Sequence, residues 1–318
     1  MPFHSDRSLK VLMLWLGLLF FLLVPSSLLG QEKTTIGVVF SADIPFYSEI
    51  HSAFIKRLRK GGYLDRVNIL IQKPNPDAIA WSNAIRKLLA YDASIIVAYG
   101  SGAADAARYE VHSTPLLFAG VYEPIKAGLK TGNFSGVGYR VPVSSLIRYL
   151  KKVVPVKRIG IVYSKIEKSS FIEAKEVEKT CKTFSTESVL LRIRNSSEIR
   201  EKLRLYSIDS LFITGSAVLA KNMSSFSNLL EKKGISVVTT MGGLEQEALI
   251  SLYTKPSGQG IVLADKLIRL LREGDLRGKA GQITILMKNR LVFNLKLARK
   301  LGLDVPVELL TESDRLIR

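Results

Sequence analysis

The chain has few residues suited to covalent or metal chemistry. Only one cysteine, Cys181, occurs among 318 residues, which excludes an internal disulfide and a thiolate metal cluster. The three histidines, His4, His51 and His112, share no metal-ligand spacing and accompany no serine nucleophile motif. Neither a P-loop nor a G-x-S-x-G turn is present. We therefore expect no enzyme, no metal and no cofactor, and we expect Cys181 to face a core from a helix.

Acidic residues are also scarce relative to basic ones. The sequence has 28 aspartates and glutamates against 46 lysines and arginines, which gives a net charge of +18. The basic residues are spread along predicted helices and accompany no nucleic-acid-binding motif, so we expect no nucleic acid partner. Solubility, attraction to an anionic membrane surface and a bias toward anionic ligands remain as explanations of the charge.

The N-terminus holds the longest apolar run. Arg7 and Lys10 precede the mostly apolar residues 11–24, and a polar segment follows. These three parts predict a signal peptide over residues 1–30. A helix of the apolar residues 11–24 would be only about 21 Å long, too short to span a bilayer core of about 30 Å. We expect export to the periplasm or another extracytoplasmic space. Leu28 suits a cleavage site poorly, so an uncleaved tether is the alternative, and the run is followed by no lipobox cysteine.

Two pairs of segments recur at a similar spacing. Residues 36–41 read IGVVFS and residues 159–164 read IGIVYS, while SIIVAYGS at 94–101 corresponds to SLFITGS at 210–216. A double recurrence of this kind predicts two similar lobes. Because open α/β sheets bind ligands where strand ends face a crevice, we expect a binding site between the lobes, with Ser41 and Ser164 opposite each other.

Short β-branched runs alternate with helical patterns, which predicts two α/β lobes, each with a doubly wound parallel sheet. Strands are predicted at 35–40, 67–72, 94–98, 115–119, 136–139, 158–163, 188–193, 210–214, 236–240, 248–253 and 290–294. Helices are predicted at 47–61, 78–91, 103–112, 144–153, 170–184, 197–206, 218–233, 257–272 and 295–301, with a short turn at 244–247. The interruption at residues 140–143 predicts a hinge. We assign 31–141 and about 255–280 to the N-terminal lobe, and 142–254 and about 281–318 to the C-terminal lobe.

Polar, small and aromatic residues follow the predicted strands at their C-terminal ends. The candidate ligand-binding residues are Ser41, Asp43, Phe46, Tyr99, Ser101, Gly102, Tyr122, Glu123, Ser164, Ser169, Ser170, Ser216, Gly242 and Tyr253. Hydroxyls and backbone N–H groups at helix N-termini bind anionic groups. A helix cap is the simpler explanation of any one serine, whereas a ligand site better explains the set at the strand ends. The aromatic residues either stack on a ligand or seal the core below a loop.

Several motifs of the chain occur in a familiar order. They are IGVVFS at 36–41, YGS at 99–101, PLLFAGVYEP at 115–124, NFSGV at 133–137, RIGIVY at 158–163 and LKLARKLGLDVP at 295–306. From about Lys33 to its end, the chain resembles the ABC transporter substrate-binding proteins related to tryptophan and tyrosine uptake.

The resemblance implies a type I periplasmic-binding-protein fold, the Venus-flytrap architecture, with three hinge crossings. It implies a protein without catalysis that captures a small ligand, an amino acid or related organic molecule, and delivers it to an ABC permease in the inner membrane. We expect the protein to be a monomer. The alternative is a membrane-tethered envelope sensor or scaffold that uses the same fold without transport. Glu123 replaces an aspartate of the relatives, while residues 214–216 (TGS) and 241–242 (MG) replace acid-containing segments. With fewer acids in the second lobe, we expect a less cationic ligand.

Overall fold

The computed structural model describes residues 33–130, 134–273 and 282–318, so the predicted signal peptide lies outside the described residues. The strands are β1 (Thr34–Phe40), β2 (Val67–Gln72), β3 (Ile95–Tyr99), β4 (Leu116–Tyr122), β5 (Phe134–Tyr139), β6 (Arg158–Ser164), β7 (Glu187–Ile193), β8 (Ser210–Ile213), β9 (Ser236–Thr239), β10 (Ile250–Thr254), β11 (Ile283–Leu286), β12 (Asn289–Asn294) and β13 (Arg315–Ile317).

Helices lie between most of these strands. They are α1 (Pro45–Lys60), α2 (Ala78–Ala90), α3 (Ser101–Glu110), α4 (Val143–Val153), α5 (Lys168–Thr183), α6 (Glu198–Leu205), α7 (Ala217–Lys221), α8 (Ser224–Lys232), α9 (Pro256–Glu273), α10 (Leu295–Lys300) and α11 (Val307–Glu312). A 3₁₀ turn covers Leu64–Arg66. Among the described residues, no helix is both long enough and apolar enough to cross a membrane.

The strands form two separate sheets. The first sheet has six parallel strands in the order β2-β1-β3-β4-β5-β11. The second has seven strands in the order β7-β6-β8-β9-β10-β12-β13. The β10–β12 pair is antiparallel and the other neighbouring pairs are parallel, so β12 and β13 run opposite to the first five strands. Because the first five strands of both sheets follow the same order, the prediction of two similar doubly wound α/β lobes is confirmed. We call the lobe around the first sheet lobe one and the other lobe two.

Local sequence signals account for the ends of the first two helices. Pro45 occupies the first turn of α1, where its missing N–H costs no hydrogen bond. Asp77 caps α2, because its carboxylate accepts hydrogen bonds from the N–H groups of Ile79 and Ala80.

On α5, Cys181 is a fully buried free thiol, as we expected. Burial raises the pKa of this thiol to about 11, so it stays protonated.

The chain passes between the sheets at three places. These are residues 140–142, Lys255 and residues 287–288. The last crossing lies beyond the boundary near residue 280 that we predicted, because β11 pairs with β5 in the first sheet. The sequence of β11, ITIL, is short and only partly buried, so it lacks the long apolar pattern of the other strands.

One further prediction about elements is wrong, and two elements were not predicted. The helix predicted over 218–233 is divided into α7 and α8, because Asn222 leaves the helical conformation and its side-chain amide donates to the carbonyl of Val218. The C-terminal elements α11 and β13 were not predicted, and β13 extends the second sheet beyond β12.

Candidate functional site

The two lobes are in direct contact where the C-terminal strand ends of their sheets meet. The Ser169 N–H donates to the Ser101 hydroxyl over 3.3 Å, and the Ser169 hydroxyl donates to the Tyr122 carbonyl over 2.7 Å. The Tyr122 hydroxyl donates to Glu176 over 2.8 Å. Since Ser101 and Tyr122 belong to lobe one and the other two residues to α5 of lobe two, these bonds describe a closed cleft.

A second contact closes the cleft at another point. Lys221 of lobe two donates to the carbonyl oxygen of Asp43 over 3.3 Å, while the Asp43 carboxylate pairs with Lys73 at 2.9 Å. Gly243 of lobe two lies against Pro45 at the start of α1. Asp43 is exposed, so its carboxylate lies at the edge of the cleft.

Ser41 and Gly102 shape the wall of lobe one. The buried Ser41 hydroxyl accepts from the N–H of Ala103 over 2.8 Å, and its carbonyl accepts from the Trp81 indole over 2.8 Å. A Cβ on Gly102 would come within 2.2 Å of the Trp81 ring, so only glycine allows this packing. Both predicted residues therefore fix the loop after β1 against the start of α3.

Four aromatic side chains line the inner part of the same wall. Phe46 packs edge-to-face against Tyr47 at 5.5 Å and against Tyr139 at 6.1 Å, and Tyr122 packs against Tyr139 at 5.6 Å. All four are buried. We call Phe46, Tyr47, Tyr122 and Tyr139 the aromatic wall. Tyr47 and Tyr139 were not among the predicted site residues; Tyr47 lies on α1 and not at a strand end, whereas Tyr139 ends β5.

Tyr99 and Tyr253 belong to other packing clusters. The Tyr99 ring packs against Phe40 and His51, and its hydroxyl lies 3.2 Å from the His51 ring nitrogen, so it seals the core of lobe one. Burial, followed by the charge of Lys73, lowers the pKa of His51 to about 4. Tyr253 clusters with Val292 and Ile317 in lobe two.

The structure brings the predicted residues Gly242 and Tyr253 together in the packing cluster of lobe two and not in the aromatic wall. A Cβ on Gly242 would come within 2.8 Å of the Tyr253 ring. Gly242 therefore lets the loop after β9 pass closely over this ring. Burial and the neighbouring Glu245 raise the pKa of Tyr253, which keeps its hydroxyl protonated.

Two carboxylates are buried in lobe two, where we expected fewer acids. Glu167 is 1% exposed and accepts from the Ser216 hydroxyl, from the Ala217 N–H over 2.9 Å and from the Val218 N–H over 3.3 Å. Glu173 is 0% exposed. Its two oxygens accept from the Gly215 N–H over 2.8 Å and from the Thr240 hydroxyl. The expectation of a less cationic ligand therefore loses its basis.

Neither carboxylate has a cationic side-chain partner within the part of the chain that the structure describes. Burial raises the pKa of Glu173 to about 7, against the opposing effect of the Thr240 and Gly215 hydrogen bonds. Burial also raises the pKa of Glu167, which the donors from Ser216 and α7 oppose. Both groups are therefore held in surroundings that penalise an uncompensated negative charge.

The aromatic wall lies next to these carboxylates. A Cβ on Gly215 would be 2.3 Å from the Tyr139 hydroxyl and 3.4 Å from Glu173 Oε2, so the phenol of lobe one and the acid of lobe two lie close to the same glycine. Burial raises the pKa of Tyr139 far above its ordinary value, and the nearby charge of Glu173 raises it further. The closed cleft thus combines neutral phenols with two acids that have no cationic side-chain partner among the described residues.

The remaining predicted serines of lobe two support its loops. The Ser164 N–H donates to the Ser170 hydroxyl over 2.9 Å, and this hydroxyl shares a 2.7 Å hydrogen bond with Thr214. The Ser164 hydroxyl accepts from the Ile166 N–H over 3.3 Å. Ser41 and Ser164 are thus each bonded within their own lobe, and Ser216 caps α7.

Glu123 lies at the rim of the cleft and not in its interior. It forms ion pairs with Arg140 and, at 3.5 Å, with Lys126. Burial raises the pKa of Glu123, but the hydrogen bonds and charges of Arg140 and Lys126 together outweigh this effect and hold the pKa below its ordinary value. Within the described ranges, no cluster of three or more His, Cys, Asp or Glu residues is arranged to hold a metal ion.

Comparison with known proteins gives a match over nearly the whole described region. The model of the ABC transporter substrate binding protein family matches residues 35–317. A tyrosine-binding protein of Clostridioides difficile is 24% identical over 225 residues, which are 67% of this chain and 65% of that protein. The match therefore spans slightly less than two thirds of that relative's length.

Solved structures show the same fold. An ABC domain in complex with L-Trp from Streptococcus pneumoniae superposes with a TM-score of 0.84 at 20% identity, over 90% of this chain and 100% of that one. A ligand-free, open substrate-binding protein from Clostridium difficile superposes with a TM-score of 0.62 at 21% identity, over 90% and 99%. At these identities the likeness establishes the architecture of the two lobes.

Proposed function

The chain belongs to the family of ABC transporter substrate-binding proteins, and from this premise we propose that it captures an aromatic α-amino acid between its lobes for an ABC importer. Proteins of this family are extracytoplasmic and bind solutes without catalysis. Two of the three relatives described above are a tyrosine-binding protein and a protein in complex with L-Trp. The type I periplasmic-binding-protein fold is the architecture in which such capture takes place.

The observation that carries the proposal is that, within residues 33–130, 134–273 and 282–318, the two buried acids have no cationic side-chain partner. Acids are almost never fully buried unless a counter-charge or a metal compensates them. Hydrogen bonds from neutral donors stabilise Glu167 and Glu173 only in part. An ammonium group of a ligand would supply the missing positive charge, and Glu173, with a pKa raised to about 7, has the most to gain from it.

The aromatic wall supports a ligand with both an ammonium group and an aromatic ring. A cation over a phenol face is attracted by the ring quadrupole, and an aromatic side chain packs edge-to-face or offset against rings of the same kind. Tyr122 and Tyr139 are adjacent to the acids and Phe46 lies behind Tyr139. We assign the ligand's ring to this wall and its ammonium group to Glu173.

The start of α3 is suited to the other end of the amino acid. Ser101 and Gly102 open a helix of ten residues, whose first N–H groups attract a carboxylate. The Ser101 hydroxyl also faces Ser169 across the cleft. A carboxylate bound here would lie at the boundary of the lobes, and its binding would favour closure.

Closure would convert ligand binding into a signal for the permease. The three interlobe hydrogen bonds of Ser169 and Tyr122 exist only when the lobes meet, so a ligand that contacts both lobes shifts the population toward that state. We propose that the permease recognises the closed arrangement and that the receptor acts as a monomer.

We further propose export by the N-terminal signal. The observation is the basic, apolar and polar order of residues 1–30. Mass spectrometry of the protein purified from the cell envelope tests it. We expect a mature N-terminus near residue 31, whereas an intact N-terminus would indicate a permanent tether.

Calorimetric titration tests the ligand assignment. We expect L-tyrosine, L-tryptophan or L-phenylalanine to bind, and 3-(4-hydroxyphenyl)propionate, which lacks the amino group, to bind at least about 100-fold more weakly. E173Q should lose affinity to a similar degree, while E178Q, on the same helix but paired with Lys175 at the surface, should bind as wild type. Equal affinity for the deaminated analogue would contradict the proposal.

A further inference from the structure

The outer side of α5 carries lysines and one aromatic residue in an exposed row. The members of the row recur every three or four positions and are all exposed: Lys168, Phe171, Lys175, Lys179 and Lys182. An α-helix brings residues at such intervals onto one side. The ring of Phe171 packs against Tyr163 at 5.6 Å, yet the residue remains 43% exposed. We call these five residues the outer face of α5.

Phe171 lines two cavities, and cations of both cavities surround its ring. The first cavity has a volume of about 670 Å³, and its basic lining residues are Lys126, Arg140, Lys175 and Lys179. The second has a volume of about 380 Å³, and its basic lining residues are Lys165, Lys168 and Arg192. The outer face of α5 is therefore flanked by further positive charge on both sides of the exposed ring.

Few carboxylates balance this charge. Glu123 pairs with Arg140 and Lys126, and Glu178 pairs with Lys175. The other two acids at the cavities and the outer face are Asp105, which pairs with Arg108, and Glu176, which accepts from Tyr122. Within the described ranges, five of the cations form no ion pair with a carboxylate: Lys165, Lys168, Lys179, Lys182 and Arg192.

The extent of this surface favours a partner with many negative charges. From Lys168 to Lys182 the helix rises by about 21 Å, which is farther than one small anion could reach. Lysine and arginine are attracted to anionic lipid headgroups, and exposed aromatic rings favour the boundary between water and lipid. The net charge of the whole chain, +18, has the sign that such a surface attracts.

We propose that the outer face of α5 and its two flanking cavities bind an anionic membrane surface. Lipid phosphate groups lie at the cavities, and Phe171 enters the headgroup region. The partner class follows from the excess of cations, their spread along the helix and the exposed ring between them. The buried side of α5 carries Glu173 and is separate from this surface, so membrane binding requires no bound solute.

Vesicle sedimentation of the purified protein without added amino acid tests the proposal. Vesicles of phosphatidylcholine alone are compared with vesicles made of equal parts phosphatidylcholine and phosphatidylglycerol. We expect partitioning into the anionic vesicles to be at least about 100-fold stronger and to weaken at high salt. An N-terminal apolar segment that is still attached would bind both kinds of vesicle, so the difference between them reports the basic surface. Equal partitioning into both would overturn the proposal.

Two double variants with the same loss of charge locate the surface. K165Q/K179Q removes one cation from each cavity and should weaken partitioning into anionic vesicles by about 20-fold. K56Q/K60Q removes two exposed lysines of α1 in lobe one and should change it by about twofold or less. An equal loss in both would show that net charge alone is responsible and would overturn the assignment to α5.

A further variant and a soluble polyanion test the role of the ring and the class of partner. F171A keeps the charge of wild type and should weaken partitioning into anionic vesicles by about tenfold, because an exposed ring no longer enters the headgroup region. Undiminished partitioning of F171A would contradict this role. Binding to poly-L-glutamate without binding to anionic vesicles would indicate an acidic polypeptide as the partner and would overturn the membrane proposal.

Discussion

The hydroxyl of Tyr122 donates a 2.8 Å hydrogen bond to Glu176 across the boundary between the lobes. Burial raises the pKa of this phenol, as do the charges of Glu173 and Glu176, so it remains a donor at every physiological pH. The carbonyl of Tyr122 accepts from Ser169 on the same helix of lobe two. One residue of lobe one is therefore joined to α5 through both its backbone and its side chain.

The first prediction concerns this bond. Y122F keeps the ring in the aromatic wall but removes a hydrogen bond to a charged acceptor, which contributes about 1.5–3 kcal/mol. Because the bond exists only between closed lobes, we expect the affinity for the ligand to fall about tenfold, as measured by calorimetric titration. Y91F, at an exposed tyrosine, is the control. Unchanged affinity of Y122F would show that the bond does not contribute to closure.

The second prediction is a pH dependence of stability caused by Glu173. Its pKa is raised from 4.5 to about 7 in the folded protein, so folding favours the protonated form. The stabilisation is complete below about pH 4.5 and is lost as the pH rises through about 7, with a total of about 3 kcal/mol at about 1.4 kcal/mol per unit. Urea unfolding at pH 5 and pH 8 without ligand should show this decline in wild type.

The matching variants identify the group responsible. The side chain at position 173 is neutral at both pH 5 and pH 8 in E173Q, so this variant should lose most of the pH dependence of stability. E178Q should retain it. Equal slopes in wild type and E173Q would assign the dependence to another group, of which the buried Glu167 is the first to test.

The third prediction concerns ligand affinity, which should rise with pH whereas the stability falls. An ammonium group pairs with Glu173 only when the carboxylate is ionised, so the affinity for an aromatic amino acid should rise between about pH 6 and pH 8. Competition between ligand and proton is measured by repeating the titration at several pH values. If the affinity were independent of pH over this range, the ammonium group would lie elsewhere.

The fourth prediction compares two glycines of α9. A Cβ on Gly260 would lie 2.1 Å from the carbonyl oxygen of Ile50, in the backbone of α1, so G260A should lower the free energy of unfolding by about 2 kcal/mol or more. Gly258, two residues earlier, has only a side-chain carbon of Leu286 at 3.8 Å. G258A should therefore be neutral or stabilising by up to about 1 kcal/mol. Urea unfolding of both variants measures the difference, and equal stabilities would contradict the prediction.

The sequence predicted most of the parallel strands because each is a nearly continuous apolar run between helices. β1 and β6 begin within one residue of their predicted starts, and their recurring sequences occupy equivalent places in the two sheets. β11 was missed because ITIL is stabilised as a strand by pairing with β5, a partner more than a hundred residues earlier in the chain. No local pattern records such a pairing.

The candidate site was predicted less completely. Tyr122 and Ser169 lie at the closed boundary, but the two buried acids were overlooked because glutamates within a helix, such as Glu173, or directly before one, such as Glu167, are ordinarily exposed. A signal was present, since Ser170, Glu173, Val177 and Cys181 recur at helical spacing and all are buried. The spacing alone does not identify the residues that pack against this buried side of α5.

The three short crossings between the lobes determine how the cleft opens. Each crossing joins an element of one lobe to an element of the other with only one to three residues. These connections are too short to allow the lobes to slide far past each other. Rotation about a single axis through the crossings is the motion that remains. Such a rotation would break the contacts of Tyr122, Ser169 and Lys221 in one step, so the receptor should switch between two discrete states without a populated half-open form.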